Sequence, residues 1–411
     1  MTDAGGWIRP EIERERMQAV EQLGLLDTPK EERFDRIARM TRRVLGVPMC
    51  SVSLMDRDRQ WFKSIEGLAL TEVPRDRTVC QTTIARTYRG VPDPVLVVED
   101  AADDPRFSEI PGIGGDGGIR FYAGYPLYGP GGHTVGTFCV YDETPRTLDD
   151  EELTNFAEMA GMVQRELEWS EDLARGADIQ RSLLPRPLQG QKGYAVSGAC
   201  LPAFVVGGDF YDHHVVDDRL VVTVADVMGK GTGAAIVAAA VRSTFRGATR
   251  AFARLAGETQ ADVDAGVAAS AAAEQLAEDL DGTDTFVTAF HAVVDLPTGT
   301  VTYVDAGHGL SMVRRRDGTV EPLRASGLPL GIALDDAWDS HTSSLSPGDM
   351  LVVCSDGLLD LLDEDSDPRA VHAFVAAHVD AAGLVAAVGD LVAEMPPLDD
   401  VTIVAIGRED A

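Results

Sequence analysis

Three short apolar runs in this chain each meet an acidic residue at one end, and that pattern constrains the fold more than any other. Leu220 to Val224 runs on into Asp226-Val227-Met228-Gly229-Lys230-Gly231. Met350 to Cys354 ends in Ser355-Asp356-Gly357, and Asp399-Asp400-Val401-Thr402 leads straight into Ile403 to Ile406. Upstream, Val206-Gly207-Gly208-Asp209-Phe210-Tyr211-Asp212 adds an aspartate behind two glycines. Apolar runs this short, bounded by turn residues, read as buried strands. A sheet that pairs them gathers distant carboxylates at one rim. Such groups repel one another unless a hard cation neutralises them, which points to Mg²⁺ or Mn²⁺.

Alone, each aspartate also fits a turn or a helix cap. Together, the ordered motifs GGDFYD, DVMGKG, DTFVTA (Asp284 to Ala289), AGHG (Ala306 to Gly309), GLPLG (Gly327 to Gly331), SDG and DDVT resemble the metal-dependent PPM serine/threonine phosphatases, and within them the SpoIIE-like branch, over residues 178 to 408. The resemblance implies an α-β-β-α sandwich that holds two Mn²⁺ or Mg²⁺ ions. It makes Asp226 the bridging ligand, with Asp209 serving one ion and Asp356 and Asp399 the other. The backbone carbonyl of Val227 takes a place where the family commonly has glycine. Asp400 is the neighbour that orients the ligand, and an exchange of roles between Asp399 and Asp400 stays open. The implied substrate is a phosphorylated STAS-domain anti-sigma-factor antagonist. Asp212 is read as an outer support or a structural cap, His308 as a loop histidine rather than a general acid, and His213 and His214 as surface residues.

A second resemblance covers residues 17 to 168. Gly24-Leu25-Leu26-Asp27-Thr28-Pro29, Phe34-Asp35-Arg36-Ile37-Ala38, Val52 to Ser64 and Arg120-Phe121-Tyr122-Ala123-Gly124 are similar to bacterial GAF sensory domains. That implies an antiparallel sheet with flanking helices and allows a small-molecule ligand whose identity the motifs leave open. Cys80, Cys139 and His133 are read as structural, since no second ligand lies at a diagnostic spacing.

The whole chain is thus expected to be α+β. It comprises a GAF domain over 1–168, a helical linker over 150–185 and a phosphatase domain over 186–411. Within the linker, Leu153, Phe156, Ala160, Val163 and Leu167 alternate steps of three and four, the period of a coiled-coil seam. Two readings follow: a dimerising linker, or the last GAF helix packing on its own sheet. The first implies a homodimer.

Composition narrows the partners. With 67 acidic against 36 basic residues the net charge is -31, which argues against nucleic acid or an anionic membrane as the main partner. Five scattered cysteines, without a CxxC pair, read as free thiols in a reducing compartment. The N-terminal residues lack the apolar core of a leader and no run is long enough to span a membrane, so the expected location is the cytoplasm.

Other functions fit less well. Gly207-Gly208-Asp209-Phe210 resembles a cyclase GGDEF loop only superficially, because Phe210 stands where the second acid belongs. Gly229-Lys230-Gly231-Thr232 lacks the spacing of a P-loop. The remaining alternative is a catalytically silent sensor and partner-binding protein that keeps the phosphatase fold.

Overall fold

The computed structural model describes residues 8–91, 95–114, 117–188, 193–259, 264–324, 327–332, 337–363 and 366–410. The N-terminal residues 1–7, expected to carry no leader, lie outside them, as do residues 261–263, the start of the Ala-rich, acidic stretch Ala261 to Leu280 that the sequence alone reads as a helix. The chain forms two compact units that divide between Arg175 and Gly176.

In the first unit, α1 (Pro10–Gln22) and α2 (Glu32–Leu45) precede the strands. The second helix stops where Gly46 turns left-handed at φ 61°, a conformation that costs glycine little. Strands β1 (Met49–Met55), β2 (Arg59–Glu66) and β3 (Glu72–Pro74) follow, then α3 (Cys80–Thr87), β4 (Leu96–Val98), β5 (Phe121–Tyr128) and β6 (Thr134–Asp142). They make one six-stranded antiparallel sheet ordered β3-β2-β1-β6-β5-β4. Alternation along β1 and β6 divides two cores. Cys50, Val52, Leu54, Phe138 and Val140 meet the helices on one face; Met49, Met55, Cys139 and Tyr141 meet α3 on the other.

Helix α4 spans Asp150–Leu183. Phe156, Ala160, Val163 and Leu167 are all buried in the core of the first unit, with Phe156 stacked on Phe138 at 5.4 Å. Burying one such phenylalanine contributes about 2 kcal/mol. Over these turns the heptad spacing is therefore used within the domain. Farther along, Trp169, Ile179 and Leu183 are exposed.

The second unit stacks two antiparallel sheets between helices. Its elements are β7 (Tyr194–Leu201), β8 (Phe210–Val216), β9 (Arg219–Val227), α5 (Thr232–Thr259), α6 (Ala265–Gly282), β10 (Val287–Asp295) and β11 (Thr300–Ala306). They continue with β12 (Ser311–Arg314), β13 (Val320–Pro322), β14 (His341–Ser344), β15 (Met350–Cys354), α7 (Asp356–Leu362), α8 (Pro368–Ala376), α9 (Ala381–Glu394) and β16 (Val401–Arg408). The sheet orders are β14-β11-β10-β9-β8 and β13-β12-β15-β16-β7. Val222, Val224, Phe290, Val353 and Val404 fill the space between the sheets. Helices α5 and α6 cover one outer face, and α7 to α9 the other. This is the expected α-β-β-α sandwich.

Candidate active site

The acidic motifs meet where β9, β15 and β16 reach the edge of the sandwich. Asp226 is the penultimate residue of β9 and pairs in register with Thr288 of β10. Asp356 begins α7 immediately after β15, and Asp399 and Asp400 precede β16. Two glycines let the Asp209 loop approach. A Cβ on Gly207 would lie 2.4 Å from Asp400 Oδ2, and one on Gly208 would lie 2.8 Å from the Val227 carbonyl oxygen. Neither space admits a side chain.

The carboxylates differ in what surrounds them. Asp400 is buried, and both its oxygens accept backbone amides, from Ala203 at 2.8 Å, Gly208 at 2.7 Å and Asp209 at 3.4 Å. It braces the loop that carries Asp209. Asp209 is 1% exposed, and its Oδ2 has no hydrogen-bond partner among the described residues. Burial, then the charge of Asp226, raises its carboxyl well above the ordinary range. Asp226 is pushed up to about 6 by burial and by the charges of Asp356, Asp399 and Asp400, partly offset by a hydrogen bond from Asp209. Asp356 is raised by burial and by Asp399. Asp399 is partly exposed, and Lys230 of the DVMGKG turn reaches its Oδ2 at 2.9 Å and the Leu398 carbonyl at 2.7 Å. Among the described residues no three His, Cys, Asp or Glu side chains close into a metal cage. The carboxylates share a field without converging to ligand distances.

Three supports hold the site from outside; of these, only Asp212 was expected from the sequence as an outer support or cap. Gln180, near the end of α4, donates to the Gly207 carbonyl at 2.6 Å and accepts the Gly207 amide at 3.1 Å. One amide side chain thus satisfies a whole peptide unit two residues before Asp209. The only sequence signal was its place just before Leu183-Leu184-Pro185. Asp212 is buried and paired with Arg242 and Arg246 of α5, so it ties the strand after Asp209 to that helix. Asp305 accepts the amides of His308 at 2.7 Å and Gly309 at 3.1 Å, and so shapes the AGHG loop.

The histidines need a correction. His213 and His214 are buried rather than on the surface, at 6% and 8% exposure. Strand β8 lies between α5 and the second sheet, so residues on both of its faces are covered. Burial lowers both, His214 to about 4. His308 meets the Thr288 hydroxyl at 3.3 Å through Nδ1, and burial lowers it to about 4, so it is a neutral loop residue. An apolar groove of about 320 Å³ adjoins the loop, lined among others by Ile179, Leu183, Val206, Phe210, Ile236 and Arg242.

A double antiparallel sandwich flanked by helices, with acidic residues at the strand ends, is the architecture of the PPM phosphatases. The comparisons with known proteins agree. Residues 29–167 match the GAF domain family, and residues 216–409 match the family described as Stage II sporulation protein E (SpoIIE). The chain is a GAF domain followed by a SpoIIE-type PPM phosphatase domain. It is 25% identical over 205 residues to the phosphoserine phosphatase RsbU of Bacillus subtilis, covering 49% of this chain and 57% of that one. It is 37% identical over 137 residues to the cyclic di-GMP phosphodiesterase PA2567 of Pseudomonas aeruginosa, covering 33% of this chain and 22% of that protein. It thus spans less than two thirds of either relative. Among solved structures, the SiaA-PP2C domain of Pseudomonas aeruginosa aligns with a TM-score of 0.50 at 22% identity, over 60% of this chain and 99% of that one. That likeness concerns the fold. Among the described residues, no helix is long and apolar enough to cross a membrane.

Proposed function

We propose that the chain is a metal-dependent protein serine/threonine phosphatase controlled by its GAF domain. The observation that carries this reading is the acidic rim itself: Asp209 has a buried, unpartnered carboxylate oxygen, and Asp209, Asp226 and Asp356 all resist ionisation. A site that disfavours its own charge to this degree fits divalent cations. Asp226 would bridge two ions, with Asp209 holding one, Asp356 and Asp399 the other, and the Val227 carbonyl contributing. Two such ions supply an acidified water and neutralise the phosphoryl group. The protein's own part is to hold the loop in place through Asp400 and Gln180, and to keep water from the inner face through the packed strands.

The substrate we propose, from the family resemblance and from the likeness to a phosphoserine phosphatase, is a phosphorylated STAS-domain anti-sigma-factor antagonist. Mn²⁺ or Mg²⁺ is the proposed cofactor. A homodimer is proposed on the exposed residues of the second half of α4. The test is phosphate release from such a phosphoprotein, with Mn²⁺, with Mg²⁺ and with chelator. Release that ignores chelation, or none from any serine or threonine phosphoprotein, would overturn the reading.

One observation favours the alternative of a silent partner-binding protein: Lys230 already neutralises Asp399. Calorimetric titration with Mn²⁺ separates the two. An active site binds the ion, and Lys230→Met tightens that binding a few-fold by removing a competing cation. A silent protein binds none in either form.

A further inference from the structure

The GAF sheet holds a buried polar cluster on its α3 face that the acidic rim does not involve. Cys80 opens α3 and Cys139 lies in β6. They are 59 residues apart in sequence, yet their Sγ atoms are 3.5 Å apart and both residues are buried. Within an otherwise apolar core, several hydrogen-bonding groups surround them. Gln60 Nε2 donates to Cys80 Sγ at 3.1 Å and to the Ser53 hydroxyl at 2.8 Å. The Tyr122 hydroxyl is 3.3 Å from Cys139 Sγ, 3.6 Å from Cys80 Sγ and 2.6 Å from the Thr83 hydroxyl. The Tyr141 hydroxyl lies 3.7 Å from Cys80 Sγ and 2.9 Å from the Ser51 hydroxyl.

This environment sets the pair apart from the other thiols. Burial pushes Cys50 far up, and Cys200 and Cys354 up to about 12. Burial acts on Cys80 too, but hydrogen bonds from Cys139, Thr137, Tyr122 and Tyr141 outweigh it and hold the thiol at about 6. Cys139 is raised well above its usual range by burial and by Cys80. One sulfur is thus prepared as a thiolate and the other as a thiol, in van der Waals contact. That is the arrangement of an attacking and a resolving cysteine.

We propose that Cys80 and Cys139 form a peroxide-oxidisable dithiol. The Cys80 thiolate attacks the O–O bond of hydrogen peroxide, gains one oxygen as a sulfenic acid and releases hydroxide. The Cys139 thiol then displaces that oxygen, forming the S–S bond and releasing water. The peroxide takes two electrons, one from each sulfur. A bond of about 2.05 Å requires the sulfurs to close the remaining gap by side-chain rotation. Because both sulfurs are buried, access requires local opening of α3, an eight-residue helix at the edge of this core. Once formed, the bond fastens α3 to β6 in the middle of the sheet and weakens the sulfur acceptors of Gln60 and Tyr122 by removing the thiolate charge.

The full-length protein is treated with hydrogen peroxide, alkylated under denaturing conditions and analysed by intact and peptide mass spectrometry. The expected product has lost two hydrogens, keeps Cys50, Cys200 and Cys354 alkylated, yields a Cys80–Cys139 linked peptide and returns to five free thiols with dithiothreitol. Five alkylated thiols after peroxide, or a different linked pair, would overturn the proposal. A Cys139→Ser variant, with its fold checked by circular dichroism, should capture dimedone at Cys80 after peroxide. A folded variant that captures none would rule out Cys80 as the attacking sulfur.

Discussion

The two domains each bury a cluster of titratable groups, and the clusters are built on opposite terms. Around Cys80 and Cys139, hydroxyl and amide groups bond to one another and to the sulfurs, and these bonds lower the Cys80 thiol despite its burial. At the acidic rim the groups are anionic by default, and burial plus mutual repulsion pushes their carboxyls upward. A satisfied polar network strengthens the fold that contains it. An under-neutralised carboxylate cluster weakens it until a cation arrives. The contrast separates groups stabilised by hydrogen bonds inside the fold from groups that lack a neutralising partner, even though both are buried.

The sharpest way to break that contrast is Asp226→Asn. Hydrolysis of an aryl phosphate in Mn²⁺ should fall to the uncatalysed background while the melting temperature without metal stays level or rises, because a repelling charge is gone. A lower metal-free melting temperature would mean that Asp226 serves the fold. The next largest effect is expected from pH. The folded Asp226 carboxyl titrates near 6, above its unfolded value of about 3.9. The native state therefore favours the protonated form. That contribution to stability is fully present below the unfolded value and is lost as pH rises through about 6. Melting without metal should decline across this window, and Mn²⁺ should protect more at pH 7 than at pH 5, where protons compete for the ligand. Thermal scans at several pH values check both signs.

Gln180→Ala tests the loop support. Turnover should fall about 10-fold, as for the loss of other groups that orient ligands, and Gln180→Glu should restore less than full activity because it cannot donate to the Gly207 carbonyl. The smallest effect belongs to the hydrogen-bonded cluster of the first domain. Tyr122→Phe removes the hydroxyl that meets Thr83 and should cost about 1–3 kcal/mol of stability, read by urea unfolding, with Mn²⁺ affinity unchanged.

What the sequence made legible follows from how far each signal reaches. Asp226, Asp356, Asp399 and Asp400 stand out because each borders a buried strand, and the strand itself is local. The helix ends at Gln22 and Leu45 are local signals too, since Gly24 and Gly46 follow them within two residues and glycine is a stop signal. The heptad-spaced residues from Phe156 to Leu167 were visible too, but their period is the same whether they face a second chain or their own sheet; the structure places them in the domain core. His213 and His214 were read as surface residues from their place just after the GGDFYD motif, and β8 has no wet face to hold them. The Cys80–Cys139 contact and the Gln180–Gly207 pair depend on which strands and loops become neighbours, and nothing local encodes that.

The Gln180 contact gives the site a digital character. A helix advances about 1.5 Å per residue and turns by about a third of a circle every residue or so. A slip of one residue in α4 relative to the loop would swing a different side chain toward Gly207: Ile179, which has no amide to offer, or Arg181, which cannot accept. The peptide unit that leads to Asp209 would then lose its donor, its acceptor or both at once. Helix position enters the acidic rim as a choice between registers, with no graded setting between them.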